Sequence, residues 1–198
     1  MEVLPWVFTS GWASGINSYL VVVMLGLLDK FLAIDAIPDV LQRTDVLVVA
    51  GALFAVEFVA DKVPYLDSIW DAIHTVIRPA VGAGLGALIA GDASSVEQAL
   101  AATTGGVTAL ISHGVKAGLR AAVNTSPEPA SNVGVSLAED VGVAGVVSVA
   151  VIAPWVAAGI AAFLLVTGVV VVMLLLRRIR RWRRERRERQ NGLARPAT

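Results

Sequence analysis

The residues best equipped for chemistry lie in one short stretch. Residues 61–79 read DKVPYLDSIWDAIHTVIRP, which places Asp61, Lys62, Asp67, Asp71, His74 and Arg78 within nineteen positions of an otherwise apolar chain. Asp67, Asp71, His74 and Arg78 are separated by four, three and four residues, so on a helix they share one face. Ile69, Ala72, Ile73 and Val76 fall on the opposite face. Such a stripe suits cation binding or proton relay. Carboxylates attract a cation, an imidazole titrates near neutral pH, and a guanidinium taken out of water needs an acid beside it. Arg78 lies deepest in the stripe and is expected to pair with an acid.

Other charged groups have comparable spacing. Glu57 and Asp61 are four apart, His113, Lys116 and Arg120 are separated by three and four, and Glu139 adjoins Asp140. We assign Glu57, Asp61, Asp67, Asp71, His74 and Arg78 to a predicted substrate or ion pathway. Asn17, in the middle of an uncharged run beside Ser18, joins them as a cavity-lining or helix-bridging amide. Lys62, His113, Lys116, Arg120, Glu139 and Asp140 are the predicted counter-charges. The same clusters would also suit helix ends that snorkel into interfacial water. Asp71 and His74 form an i, i+3 carboxylate–imidazole pair of the kind found in di-metal helix bundles. With Glu57, Asp61 and Asp67 nearby it would suit a hard divalent cation or manganese. That pattern is common on helices, so the metal stays unassigned.

The elements that must position these groups are hydrophobic segments. The chain has 198 residues, 56% of them hydrophobic, with a mean hydropathy of +0.73. Val3–Leu28 and Val141–Leu176 contain no charged residue, and a helix needs about 20 apolar residues to cross the hydrocarbon core. The alternation of a barrel strand is absent, so the fold class is all-α, a polytopic transmembrane helix bundle. Six segments are expected, near 6–28, 45–60, 68–90, 99–122, 137–153 and 155–176. The 36-residue uncharged run 141–176 is too long for one straight crossing, and Pro154 either breaks it into two helices or kinks one. Ser94 or Ser95 is a plausible N-cap for the fourth segment. Pro64 is expected in the turn before the third, and residues 124–132, NTSPEPASN, cannot be helical throughout.

Gly11 and Gly15, Gly82 and Gly86, and Gly114 and Gly118 are each four apart, a spacing that permits close helix packing or a dimer face. Thr9–Ser18 also resembles Thr103–Ser112, TSGWASGINS against TTGGVTALIS. Two inverted repeats with broken helices, 1–92 and 93–176, are one arrangement this allows.

Charge divides the chain in two. Residues 177–189, RRIRRWRRERRER, hold nine Arg and two Glu, whereas residues 1–176 hold six Lys or Arg against fourteen Asp or Glu. We read 1–176 as the membrane domain and 177–198 as a basic cytoplasmic tail that touches anionic lipid headgroups rather than nucleic acid. Residues 192–198 are expected to fray. Glu2 stands where a cleaved signal would carry a basic region. There is no cysteine, which excludes disulfides, thiolate metal sites and a cysteine nucleophile. No GxSxG, HExxH, Walker or dinucleotide motif is present, so neither an enzyme nor a cofactor is expected.

GWASGINSYLVVVMLGLL, VEFVADKVPYLDSIWDAIHTVIRP and NTSPEPASN followed by SLAEDV resemble an uncharacterised family of small bacterial membrane proteins, catalogued as a domain of unknown function. The resemblance covers about residues 5–175. It implies an integral protein of a bacterial plasma membrane and brings no established activity. A weaker likeness is to cation/proton exchangers with a Glu-x-Gly-Asp-Lys motif, from which Glu57 and Asp61-Lys62 depart by one residue and a missing glycine. Together these features predict a multi-pass transport protein for a cation or small solute, with proton coupling and a homodimer as further expectations. The alternative is a noncatalytic membrane scaffold or lipid-interacting protein whose charged cluster is a structural ion-pair network.

Overall fold

The computed structural model describes residues 3–63, 66–123 and 129–193. Six α-helices account for almost all of them, with no strand among the described residues: α1 Val3–Leu32, α2 Thr44–Ala60, α3 Leu66–Ala90, α4 Ser95–Val123, α5 Pro129–Ile152 and α6 Pro154–Leu193. A 3-10 turn, Asp39–Gln42, precedes α2. Four helices are long and apolar enough to cross a membrane, within Val3–Leu32, Leu66–Ala90, Val133–Ile152 and Pro154–Arg184. They point to a membrane-embedded protein.

Pro154 breaks the long apolar run. Ala153 alone separates α5 from α6, and Pro154, which lacks an N–H, opens the next helix. Pro79, by contrast, stays inside α3. Ser94 caps α4 with a reciprocal capping box. Glu97 N–H donates to Ser94 Oγ (3.4 Å), while Ser94 N–H and Oγ–H donate to Glu97 Oε2 (3.0 and 2.7 Å). Pro64 and residues 124–128 lie outside the described residues, as do 194–198. Gly192, expected to fray, is instead helical, and α6 runs through the predicted tail boundary at 176/177 without a break.

The first segment is not the single straight crossing expected of 6–28. Asn17 has φ −149° and ψ 95°, so α1 is two half-helices, residues 3–16 (α1a) and 18–32 (α1b). Straight, 30 residues would span about 45 Å. Instead Val3 shares a cavity with Asp35–Asp39 and Leu88–Ala93, so both ends of α1 lie at one end of the bundle. Contacts along each half give the same direction. Val7 of α1a lines a cavity with Ala90 and Ala101, and Ser14 reaches Arg78, so α1a runs antiparallel to α3. In α1b, Tyr19 and Val22 lie by Val49–Leu53, while Gly26 meets Leu41 and Leu47, so α1b returns alongside α2.

Helices α1a, α3 and α4 cross tightly where glycines let backbones meet. A Cβ on Gly11 would lie 2.6 Å from Gly105 O, and one on Gly82 would lie 2.7 Å from the same oxygen. Gly11 and Gly82 therefore serve internal packing, whereas Gly114 has open space. The two similar stretches, Thr9–Ser18 and Thr103–Ser112, meet at this crossing. The apolar core gathers beside it from α1, α3, α4, α5 and α6 and from Ile37 and Leu41, with Trp6, Val7, Leu85, Ile89, Ala101, Val147 and Ala161 among its members. At the other end of the bundle converge the end of α2, the start of α3, the end of α4 and the first half of α5.

Two outcomes are expected. Single cysteines are clean reporters because the chain has none. Leu4→Cys and Asp39→Cys should react with a membrane-impermeant thiol reagent from the same side, and Arg187→Cys from the other. Reaction of Leu4→Cys from the Arg187 side would mean a straight α1. In denaturant unfolding in detergent micelles, Gly105→Val should cost about 1–3 kcal/mol or more by overpacking. Gly84→Ala, whose added Cβ meets nothing within 4 Å, should hold stability or raise it by up to about 1 kcal/mol.

Candidate functional site

The charged stripe of α3 forms as its spacing predicts and turns inward. Asp67, Asp71, His74 and Arg78 are all buried, while Ile69, Ile73 and Val76 on the opposite face are exposed. Glu57, Asp61, Lys116, Arg120 and His113 are buried as well. The clusters thus form a network inside the bundle.

Arg78 is its centre. Its Nη2 donates to Glu57 Oε1 at 2.7 Å and its Nη1 to Asp71 Oδ1 at 3.0 Å, and both Arg78 and Glu57 side chains are 0% exposed. Nη1 also donates to His113 Nδ1 at 2.7 Å. A guanidinium only donates, so this nitrogen of His113 must accept. The hydrogen of Thr75 Oγ1 goes to Asp71 O (3.0 Å), leaving Thr75 Oγ1 to accept from His113 Nε2 at 3.1 Å. These bonds fit one neutral tautomer of His113.

A second centre lies toward the end of the bundle. Lys116 Nζ donates to Asp61 Oδ2 at 2.6 Å and lies 3.9 Å from Glu57 and 3.8 Å from Glu139. Arg120 donates to Glu139 Oε2 at 2.8 Å and to Asp61 O at 3.0 Å, with Asp67 Oδ1 at 3.9 Å. Lys62, predicted as a counter-charge, donates to Phe58 O (2.8 Å) and lies over the Phe58 ring.

His74 sits to one side of the ion pairs. Its Nδ1 donates to Trp70 O at 2.8 Å, and its Nε2 is 3.0 Å from Tyr19 Oη. The ring stacks on Trp70 with centroids 4.6 Å apart. His74 is engaged by Trp70 and Tyr19 and Asp71 by Arg78, so the two are not joined as their i, i+3 spacing allowed. Among the described residues, no three His, Asp or Glu side chains are grouped so as to hold a metal ion. Cationic side chains stand between the carboxylates.

The network reaches the break in α1. Asn17 Oδ1 accepts from Leu20 N–H at 2.9 Å, capping α1b as an N-cap residue does. Asn17 Nδ2 donates to Asp140 Oδ1 at 3.0 Å. The carbonyl of Ile16, next to the break, accepts from Lys116 (3.0 Å), and Trp12 O, one turn earlier, accepts from Ser112 (2.8 Å). Ser14 Oγ–H donates to Arg78 O at 3.0 Å. Six acids (Glu57, Asp61, Asp67, Asp71, Glu139, Asp140) therefore gather with four cations (Lys62, Arg78, Lys116, Arg120), a formal excess of two negative charges. Glu57 Oε2 and Asp140 Oδ2 are buried oxygens that accept no protein hydrogen bond.

Sequence reasoning did not single out Ser14, Tyr19, Trp70, Thr75 or Ser112. Ser14 and Ser112 lie in or beside the two similar stretches noted above, which was the available signal. Trp70, four before His74, and Thr75, four after Asp71, lie at helical spacing within the same stripe, which was the available signal for them.

An all-helical membrane protein with a charged network inside its bundle is the class these features define. The chain belongs to the family described as Domain of unknown function (DUF4126), whose model matches residues 4–174. No curated protein and no solved structure matches it.

Removing one partner of a buried pair leaves the other charge uncompensated, at a cost of about 3–5 kcal/mol. Glu57→Ala is expected to destabilise the protein on that scale in denaturant unfolding. Asp45→Ala, which removes the exposed pair with Arg43, should leave the transition unchanged. A Glu57→Ala protein as stable as the parent would mean that Asp71 and His113 suffice for Arg78.

Proposed function

We propose that the protein transports a cation or a small cationic solute, coupled to protons. The observation that carries this reading is the acid excess beside a helix broken inside an apolar bundle. Unwound backbone at membrane depth is tolerated where it lines a site or is held by protein groups, and broken helices commonly build transporter sites. Two carboxylates beyond the available cations would attract a cation or hold protons. Glu57 and Asp140, each with an unbonded oxygen, are the acids that would exchange them, with Asp61, Asp67 and Asp71 completing the pathway. Arg78, Lys116 and Arg120 hold the carboxylates in place. His74 would respond to protons, since protonation at Nε2 would require the Tyr19 hydroxyl to turn from donor to acceptor.

The orientation belongs to the same proposal. With α1 re-entrant and α2 to α6 alternating, the Arg-rich extension of α6 leaves at the charged end of the bundle. The positive-inside rule then puts that end in the cytoplasm of a bacterium, with the arginines near anionic headgroups. A second reading, a scaffold with a purely structural network, is favoured by one observation. Arg78, Lys116 and Arg120 each have a carboxylate within 3.0 Å.

Flux into proteoliposomes separates the two. The protein should take up some of a panel of monovalent and divalent cations selectively, and a pH gradient should change the rate. Asp71→Asn should abolish uptake while the protein remains monodisperse. No uptake of any cation by folded protein would favour the scaffold.

A further inference from the structure

A cavity of about 350 Å³ opens on the side of the bundle among α1a, α4, α5 and α6. This is within the size range of small-molecule sites. Its walls are apolar, with Trp12, Val115, Leu119, Leu164 and Leu165, and its polar lining comes from Ser112, Lys116 and Glu139. Leu164 is exposed on the outer surface of the apolar helix α6, so the opening faces the surroundings of the bundle.

The polar groups are not equivalent. Lys116 is 1% exposed and donates to Ile16 O and Asp61 Oδ2, with Glu57 and Glu139 also within 4 Å. It has little left for an anion. Ser112 donates its hydroxyl hydrogen to Trp12 O. Glu139 accepts from Arg120 through Oε2, and at 14% exposure it is the most open of the acids in the buried ion pairs. The cavity thus offers an apolar slot with an acceptor at its inner wall, backed by a network with negative charge in excess.

We propose that this cavity binds a lipophilic amine, an alkyl chain bearing a protonated nitrogen, with the chain against Trp12 and Leu165 and the ammonium donating to Glu139. The charge arrangement disfavours a fatty acid, whose carboxylate would face Glu139 and find Lys116 occupied. A neutral chain would gain the apolar contacts alone. Binding does not require transport, so this proposal and the transport reading can fail separately.

Trp12 provides the readout. Purified protein in non-ionic micelles would be titrated with nitroxide-labelled dodecylamine, dodecanol and dodecanoate, and tryptophan quenching followed. A hydrogen bond to a charged group corresponds to roughly tenfold or more in affinity. The amine should therefore quench at about one tenth the concentration of the alcohol, and Trp12→Phe should remove the saturable component. Glu139→Gln should bring amine and alcohol together. Gly142→Leu fills the cavity from a position where an added Cβ meets nothing within 4 Å, and should abolish the saturable component with unfolding unchanged. Equal quenching by amine and alcohol in the parent protein would overturn the proposal in favour of a lipid-chain groove. Tighter dodecanoate would overturn it in favour of an anion site, and quenching that survives Trp12→Phe would place the amine elsewhere.

Discussion

A guanidinium with no exposed surface, in the middle of an apolar bundle, constrains everything around it. Desolvating a charge costs several kcal/mol even after relaxation, and only well-placed partners repay it. Arg78 draws its partners from three helices: Glu57 from α2, Asp71 from two turns earlier in α3 and His113 from α4. That requirement fixes how deep α2 must reach and how α4 must be rotated. It also explains why α2 is set into the bundle as it is. The only buried residues of α2 are Ala50, Glu57 and Ala60, so its attachment depends heavily on one carboxylate. Val48, Val56 and Val59 face outward, while Phe54 packs against the core.

The break in α1 follows the same logic for the backbone. A peptide group that loses its helical partner inside an apolar bundle must find another. Here the replacements are side chains of the charged network. Lys116 serves both a carboxylate and the Ile16 carbonyl, and Asn17 both caps the second half-helix and holds Asp140. Backbone irregularity and side-chain charge are therefore joined in one construction. The rest of the bundle can be plain, with apolar packing at one end and glycine-mediated crossings between α1a, α3 and α4.

Much of this was legible in the sequence, and what was not has a physical reason. The four-three-four spacing from Asp67 to Arg78 could only place those groups on one helical face, and the apolar residues opposite could only face outward. The capping box at Ser94 and Glu97 is a local interaction, so local sequence announced it. Pro154 marked a break but could not say whether the helix would stop or bend, because that depends on packing against the other helices. Asn17 was visible as a polar residue in an uncharged run, yet a residue of middling helix propensity does not by itself end a helix. The groups that hold the break, Lys116 on Ile16 O and Asp140 on Asn17, lie 100 and 123 residues away in sequence. The interior position of Lys116, Arg120 and Glu139 was hidden for the same reason. A charge near the end of an apolar segment reads alike whether it meets water or an ion pair across the bundle.

The pairing also has an order in time. A chain is made from its N-terminus, and its early parts fold first. Glu57, Asp61, Asp67 and Asp71 all precede Arg78, and all precede Lys116 and Arg120. Each buried cation therefore emerges after at least one acid within its reach, although Glu139, the closest partner of Arg120, is made later. The acids that come first have the easier wait, since a carboxylate can shed its charge by taking up a proton and a guanidinium cannot shed its own. Glu139 and Asp140 arrive last, after the cations. The order of acids and bases along the chain thus gives every buried cation of α3 and α4 a carboxylate already made when it emerges.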